Sequence, residues 1–165
     1  MRWGLFILAL LVVYIAQTAA LPLFAPSWVD MLLILALVYG LTAAPTEARL
    51  AGWIIGFAQD VGSLGPLGLH ALALGLATCG LTYLREAVNR ELWWVRGLAA
   101  FVVAWPAQLL VLLHMRFLQN APLSTLRILF DSFATAATAA LIAGLLVGLP
   151  SVWRRRRRHA LSPRW

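Results

Sequence analysis

Long apolar runs, each closed by a short polar or proline-glycine break, set the rhythm of this chain. Trp3 to Leu21 carries no charge, and Pro22 and Pro26 mark a turn after it. Trp28 to Ala44 is the second run, and Pro45, Glu47 and Arg49 behind it read as a solvated loop. Leu50 to Val61 is shorter and ends on the polar pair Gln59-Asp60. Gly62-Ser63-Leu64-Gly65-Pro66 reads as a tight turn before a fourth run, Leu67 to Leu84. Residues 85–96 read as a polar loop with Arg85, Glu86, Asn89, Arg90, Glu91 and Arg96. Gly97 to Met115 is the fifth run, and Pro106 near its middle predicts a kink. Residues 116–131 read as a mixed connection at an interface, and Ser132 to Pro150 is the sixth run. A hydrocarbon core about 30 Å thick takes about 20 apolar residues per helix. The pattern therefore predicts an all-α integral membrane protein: six transmembrane helices at about 3–21, 28–44, 50–61, 67–84, 97–115 and 132–150, then a basic tail, 151–165. Thr18-Ala19-Ala20 resembles a cleavage site, but the run before it exceeds the usual 7–15 residues of a signal peptide. An uncleaved first span is the expectation.

Composition narrows the class further. Of 165 residues 62% are hydrophobic and 12% charged, with a mean hydropathy of +0.86. A soluble domain carries about 25% charged residues, so this chain has too few polar groups to cover a surface in water. The net charge of +7 suggests nucleic acid only in a soluble protein. Here five basic residues, Arg154, Arg155, Arg156, Arg157 and Arg158, form one run behind an apolar segment. Such a run reads as a cytoplasmic anchor on anionic lipid headgroups, not as a nucleic-acid site. Arginine placement also sets the orientation. With the N-terminus inside, Arg2, Arg49, Arg85, Arg90, Arg96, Arg154 to Arg158 and Arg164 lie inside, and only Arg116 and Arg127 outside. The expectation is N-in and C-in. Trp3, Trp93, Trp94 and Trp153 then fall at the inner edge and Trp28 at the outer, while Trp105 falls mid-span as a packing residue. A single cysteine, Cys79, excludes a disulfide framework within one chain.

Helices surrounded by lipid associate through close packing and polar contacts. Gly52 and Gly56 form a GxxxG pair; Ala71, Gly75 and Cys79 share a face of span four; Ala136, Ala140, Gly144 and Gly148 share a face of span six. Contacts within the chain are the preferred reading of these faces. Candidate chemistry is sparse. A carboxylate at the depth of Asp60 is expensive unless it meets a helix end, a cavity or a partner. His70, ten residues on and about one turn into span four, could meet it. One reading of the pair is a proton or ligand site. The preferred one is a hairpin clasp, with Asp60 accepting from backbone N–H groups of the glycine-rich turn. His114 and Arg116 sit at the outer end of span five, and Arg127 and Asp131 are spaced to pair on a helix. Ser63 lacks the setting of an intramembrane protease nucleophile, and no HExxH, P-loop or acidic phosphoryl-transfer motif is present. No metal or cofactor site is expected.

Gly56-Phe57-Ala58-Gln59-Asp60, the glycine-rich turn, and Pro66-Leu67-Gly68-Leu69-His70-Ala71-Leu72 together resemble the central signature of the rod shape-determining MreD family. The similarity extends to chain length, the immediate N-terminal span, the proline-bounded second span and the basic tail. Span two departs from the family pattern in holding no proline inside it. The resemblance implies a fold similar to the S components of energy-coupling factor vitamin transporters. It also implies a non-enzymatic inner-membrane part of the bacterial elongation machinery. Such proteins pair with MreC, which connects MreB filaments to RodA and its penicillin-binding transpeptidase. Gly56, Gln59, Asp60, Gly65, Pro66, Gly68 and His70 are the matching motif positions, implied to shape the hairpin. Two rivals stand beside this reading. One is a vitamin transporter's substrate-binding component, with a pocket drawn from Asp60, His70, His114, Arg116 and Asp131. The other is a small membrane enzyme acting on a lipid-linked substrate.

Overall fold

The computed structural model describes residues 3–20, 28–63, 65–87, 93–118 and 124–161. All the regular elements in them are helical: α1 (Trp3–Ile15), a π-helical turn (Ala16–Ala20), α2 (Met31–Thr42), α3 (Pro45–Gly62), α4 (Leu69–Ala87), α5 (Trp93–Leu118) and α6 (Thr125–Leu161). Each helix packs on the next in sequence, and α2 touches all five others. The reason lies in its residues. Met31–Thr42 is apolar all round, and such a helix is stable only when enclosed. Leu32, Leu33, Ala36 and Leu37 are accordingly buried. Asp30 caps its N-terminus, accepting from Leu33 N at 3.0 Å.

The main core draws on every helix: Phe6 from α1, Leu33 and Leu37 from α2, Ile55 from α3, Leu74 and Leu81 from α4, Ala100 and Ala104 from α5, and Ala136 and Ala140 from α6. The outward faces are apolar as well, with Leu8, Trp53, Phe57, Leu76, Val102, Phe133 and Leu141 exposed. Exposed apolar faces of this extent mark surfaces that meet lipid or another protein. Among the described residues, Trp94–Leu118 and Thr125–Gly148 are each long and apolar enough to cross a bilayer; Trp3–Ala19 and Met31–Thr42 are shorter apolar helices.

Several expected boundaries move. Pro45 is not a breaker but the first residue of α3, where its missing N–H would have had no helical partner. Glu47 and Arg49 therefore lie on a helix instead of in a solvated loop. Arg49 donates from Nε to Thr82 Oγ1 at 3.2 Å and sits 4.7 Å from the centre of the Tyr83 ring. Helix α4 runs on to Ala87, so Arg85 is helical, and its Nη1 donates to the Gly40 carbonyl at 2.9 Å. Residues 88–92 of the expected loop fall outside the described residues. Pro106 lies inside α5 without ending it. Ser124 caps α6, with its Oγ accepting from Arg127 N at 3.3 Å. Part of the expected mixed connection is thus helical. At its other end α6 passes Pro150 and takes in Arg154 to Arg158, which were expected in a tail.

Candidate functional site

Where α3 ends and α4 begins, a carboxylate closes the hairpin. Asp60, in the last turn of α3, is 1% exposed. Its Oδ1 accepts from His70 N at 2.9 Å and lies 2.8 Å from His70 Nδ1, and its Oδ2 accepts from Gly68 N at 2.9 Å and Ala71 N at 3.0 Å. The first N–H groups of a helix have no partner within it and carry the positive end of its dipole. Asp60 satisfies those of α4 from a different helix. Three backbone N–H groups thus donate to the one carboxylate, and the His70 ring shares a fourth hydrogen bond with it. His70 is the second residue of α4, not one turn in as expected.

The surrounding motif residues bring the two helices close enough for this. A Cβ on Gly56 would collide with the His70 carbonyl and the Ala71 backbone, and one on Gly52 with the Thr78 side chain. Across the same interface, a Cβ on Gly75 would lie 2.5 Å from the Trp53 indole. The expected small-residue faces of spans three and four thus meet each other. Pro66 and Gly68 shape the turn: Leu69 N donates to the Pro66 carbonyl at 3.4 Å, and Gly68 has φ +99°. A side chain there would be strained even in open space, because L-residues rarely adopt that region. Ser63 donates through both N and Oγ to the Asp60 carbonyl, at 3.2 and 3.1 Å. Gly65 lies in the same turn. In α6, Ala140 is 3% exposed and Gly144 and Gly148 are buried. The Ala140 carbonyl lies 3.7 Å from where a Cβ on Gly97 of α5 would sit.

Beside the clasp lies a cavity of about 370 Å³, lined from α1's π-helical extension to α6 by residues that include Gln17, Asp30, Gln59, His70, Gln108 and Asp131. Its lining is about as polar as apolar, unlike the apolar grooves between α4 and α5, α5 and α6, and α1 and α3. Asp30 organises it. Beyond its cap bond, its Oδ2 accepts from Gln59 Nε2 at 3.0 Å and Gln108 Nε2 at 3.3 Å. Gln17 Oε1 accepts from Leu32 N at 2.8 Å. Arg127 and Asp131 pair as the sequence spacing predicts, at 3.4 Å. Gln108 lies ten residues before the end of α5, which at 1.5 Å per residue sinks this network about 15 Å below that end.

Of the residues proposed for a pocket, His70 and Asp131 line it. Asp60 is enclosed in the clasp, and His114 and Arg116 are not among the lining residues. Arg116 instead reaches Thr125 Oγ1 and the Phe117 ring. Sequence reasoning missed Asp30, Gln17 and Gln108. The acid directly before an apolar helical run was a readable cap signal, and a glutamine inside the longest apolar helix was a readable polar anomaly. Among the described residues no three His, Cys, Asp or Glu side chains come together to hold a metal. What fold and site define together is an all-helical protein with a carboxylate-locked hairpin beside a sunken polar cavity. Comparison with family profiles, curated proteins and solved structures finds no match in any of the three.

Proposed function

We propose that the chain is a multi-pass inner-membrane scaffold of the bacterial cell-elongation machinery, of the MreD kind. In this reading all six helices cross the bilayer, with both termini inside. The protein partners an MreC-like single-span protein and helps direct lateral peptidoglycan synthesis by a RodA-like glycosyltransferase and its transpeptidase, with MreB on the cytoplasmic side. The observation that carries the reading is the clasp. Gly56, Asp60, Pro66, Gly68 and His70, the positions that resemble the family motif, are engaged together in closing one hairpin. A motif committed to architecture suits a scaffold better than an enzyme, because Asp60 is held by three backbone N–H groups and the His70 ring and is only 1% exposed. The apolar outward faces support burial in lipid. Arg49 and Arg85 approach the same end of the bundle through Thr82 and Gly40, opposite the Asp60 turn, as the N-in orientation requires.

A second reading, the substrate-binding component of a vitamin transporter, is favoured by one observation: the polar cavity at the expected outer end. A mild-detergent pull-down of the tagged chain from its native membranes, read by mass spectrometry, separates the two. Recovery of an MreC-like protein, with or without a RodA-like enzyme, supports the scaffold. Recovery of a paired ATPase with a transmembrane coupling subunit overturns it in favour of the transporter.

A further inference from the structure

The cavity beside the clasp is unbalanced in charge and in hydrogen bonding. Asp30 is 9% exposed, and the three groups that donate to it, Leu33 N, Gln59 Nε2 and Gln108 Nε2, are neutral. The one arginine in the lining, Arg127, already faces Asp131, so that pair cancels itself. Gln59 adds a second imbalance. Its amide nitrogen donates to Asp30, and its Oε1 is left buried with no donor among the described residues. Burying an acceptor without a partner is unfavourable, and burying a charge without a counter-charge more so. Trp28 stands in the same wall, an aromatic face of the type that attracts cations.

We infer that this cavity binds a primary ammonium group, carried either by a small soluble molecule or by a lipid headgroup. A primary ammonium supplies both a positive charge and N–H donors for Asp30, whose protein partners are all neutral. A bare inorganic cation would leave most of the 370 Å³ to water, since one water occupies about 30 Å³. An anion would meet Asp30. A quaternary ammonium brings the charge but no N–H for the Asp30 carboxylate. The inference rests on the cavity alone and holds whether the chain is a scaffold or a transport component, so partner capture and ammonium binding fail independently.

The test is calorimetric titration of the full chain in phosphatidylglycerol nanodiscs with ethanolamine, choline and ethylene glycol. Ethanolamine should bind at least about tenfold more tightly than either comparison, the equivalent of one charge-assisted hydrogen bond. Asp30→Asn should lose at least about tenfold in ethanolamine affinity while folding normally, since asparagine caps a helix as well as aspartate. If ethanolamine affinity falls when phosphatidylethanolamine is added to the discs, the lipid headgroup is the source; if it is unchanged, a soluble amine is. Both results uphold the site. No saturable binding of ethanolamine, equal binding of all three probes, or an Asp30→Asn protein that is folded and binds unchanged would overturn it. The comparison of probes on the unaltered protein needs no variant to fold.

Discussion

Asp60 and Asp30 are both buried aspartates at the start of an apolar helix, and both use a carboxylate to cap it. Their surroundings differ. Asp60 caps α4 from another helix, accepts three backbone N–H groups, bonds the His70 ring, and is 1% exposed. Asp30 caps its own helix, shares one oxygen between two side-chain amides, and borders a cavity. The same chemical group is a rivet in one place and an open acceptor in the other. What separates the two roles is the neighbours: rigid backbone donors saturate a carboxylate, whereas two glutamine side chains leave charge and acceptor capacity over.

The comparison can be broken at either end. The largest effect is expected from Asp60→Ala, which strands the N–H groups of α4 and the His70 ring at once. A loss of about 3–5 kcal/mol is predicted, because several buried donors are left unsatisfied at about 1–3 kcal/mol each, measured by unfolding in detergent. Next comes Gly56→Ala. Its new methyl would press on the backbone of α4, so the helices must separate and the clasp lengthen; a loss of about 1–3 kcal/mol is expected in the same assay. Asp30→Asn should cost under about 1 kcal/mol, because the cap survives. Its effect appears in ammonium binding instead of in the melt. Smallest of all is Arg127→Ala. Its side chain is 68% exposed, and such pairs contribute about 0–1 kcal/mol, so an unfolding midpoint within error of the parent is predicted. An Asp30→Asn loss as large as that of Asp60→Ala would erase the distinction between rivet and open acceptor.

The two sites also differ in how far the sequence revealed them. The clasp was legible because its parts are close in the chain. A carboxylate, a glycine-proline turn and a histidine within a dozen residues leave few arrangements other than a hairpin, and Gly52 and Gly56 mark the face that closes it. The cavity was not, because Gln17, Asp30, Gln59, Gln108 and Asp131 come from five separate stretches that only tertiary packing unites. Each looks innocuous alone: Asp30 as the edge of a span, Gln108 as a stray polar residue. Helix boundaries failed for a local reason. Pro45 and the charges of Glu47 and Arg49 read as a break under a purely apolar criterion, yet proline is favoured at a first helical position and an acid in a first turn. Arg85 stays helical because the Gly40 carbonyl is within its reach, a contact no window of sequence contains. Trp105, expected to pack, does so: it stacks on Phe101 with centroids 6.0 Å apart and meets Phe133 edge-on.

The central claim is that the motif from Gly56 to His70 is a structural lock. A double-mutant cycle on Asp60 and His70, read as unfolding free energy in detergent, tests it most directly. If the two side chains act as one unit, Asp60→Ala and His70→Ala each destabilise the protein. The double variant then loses less than the sum, with a coupling of about 0.5–3 kcal/mol. Single variants as stable as the parent, or losses that add without coupling, would contradict it and return Asp60 to the list of residues available for chemistry.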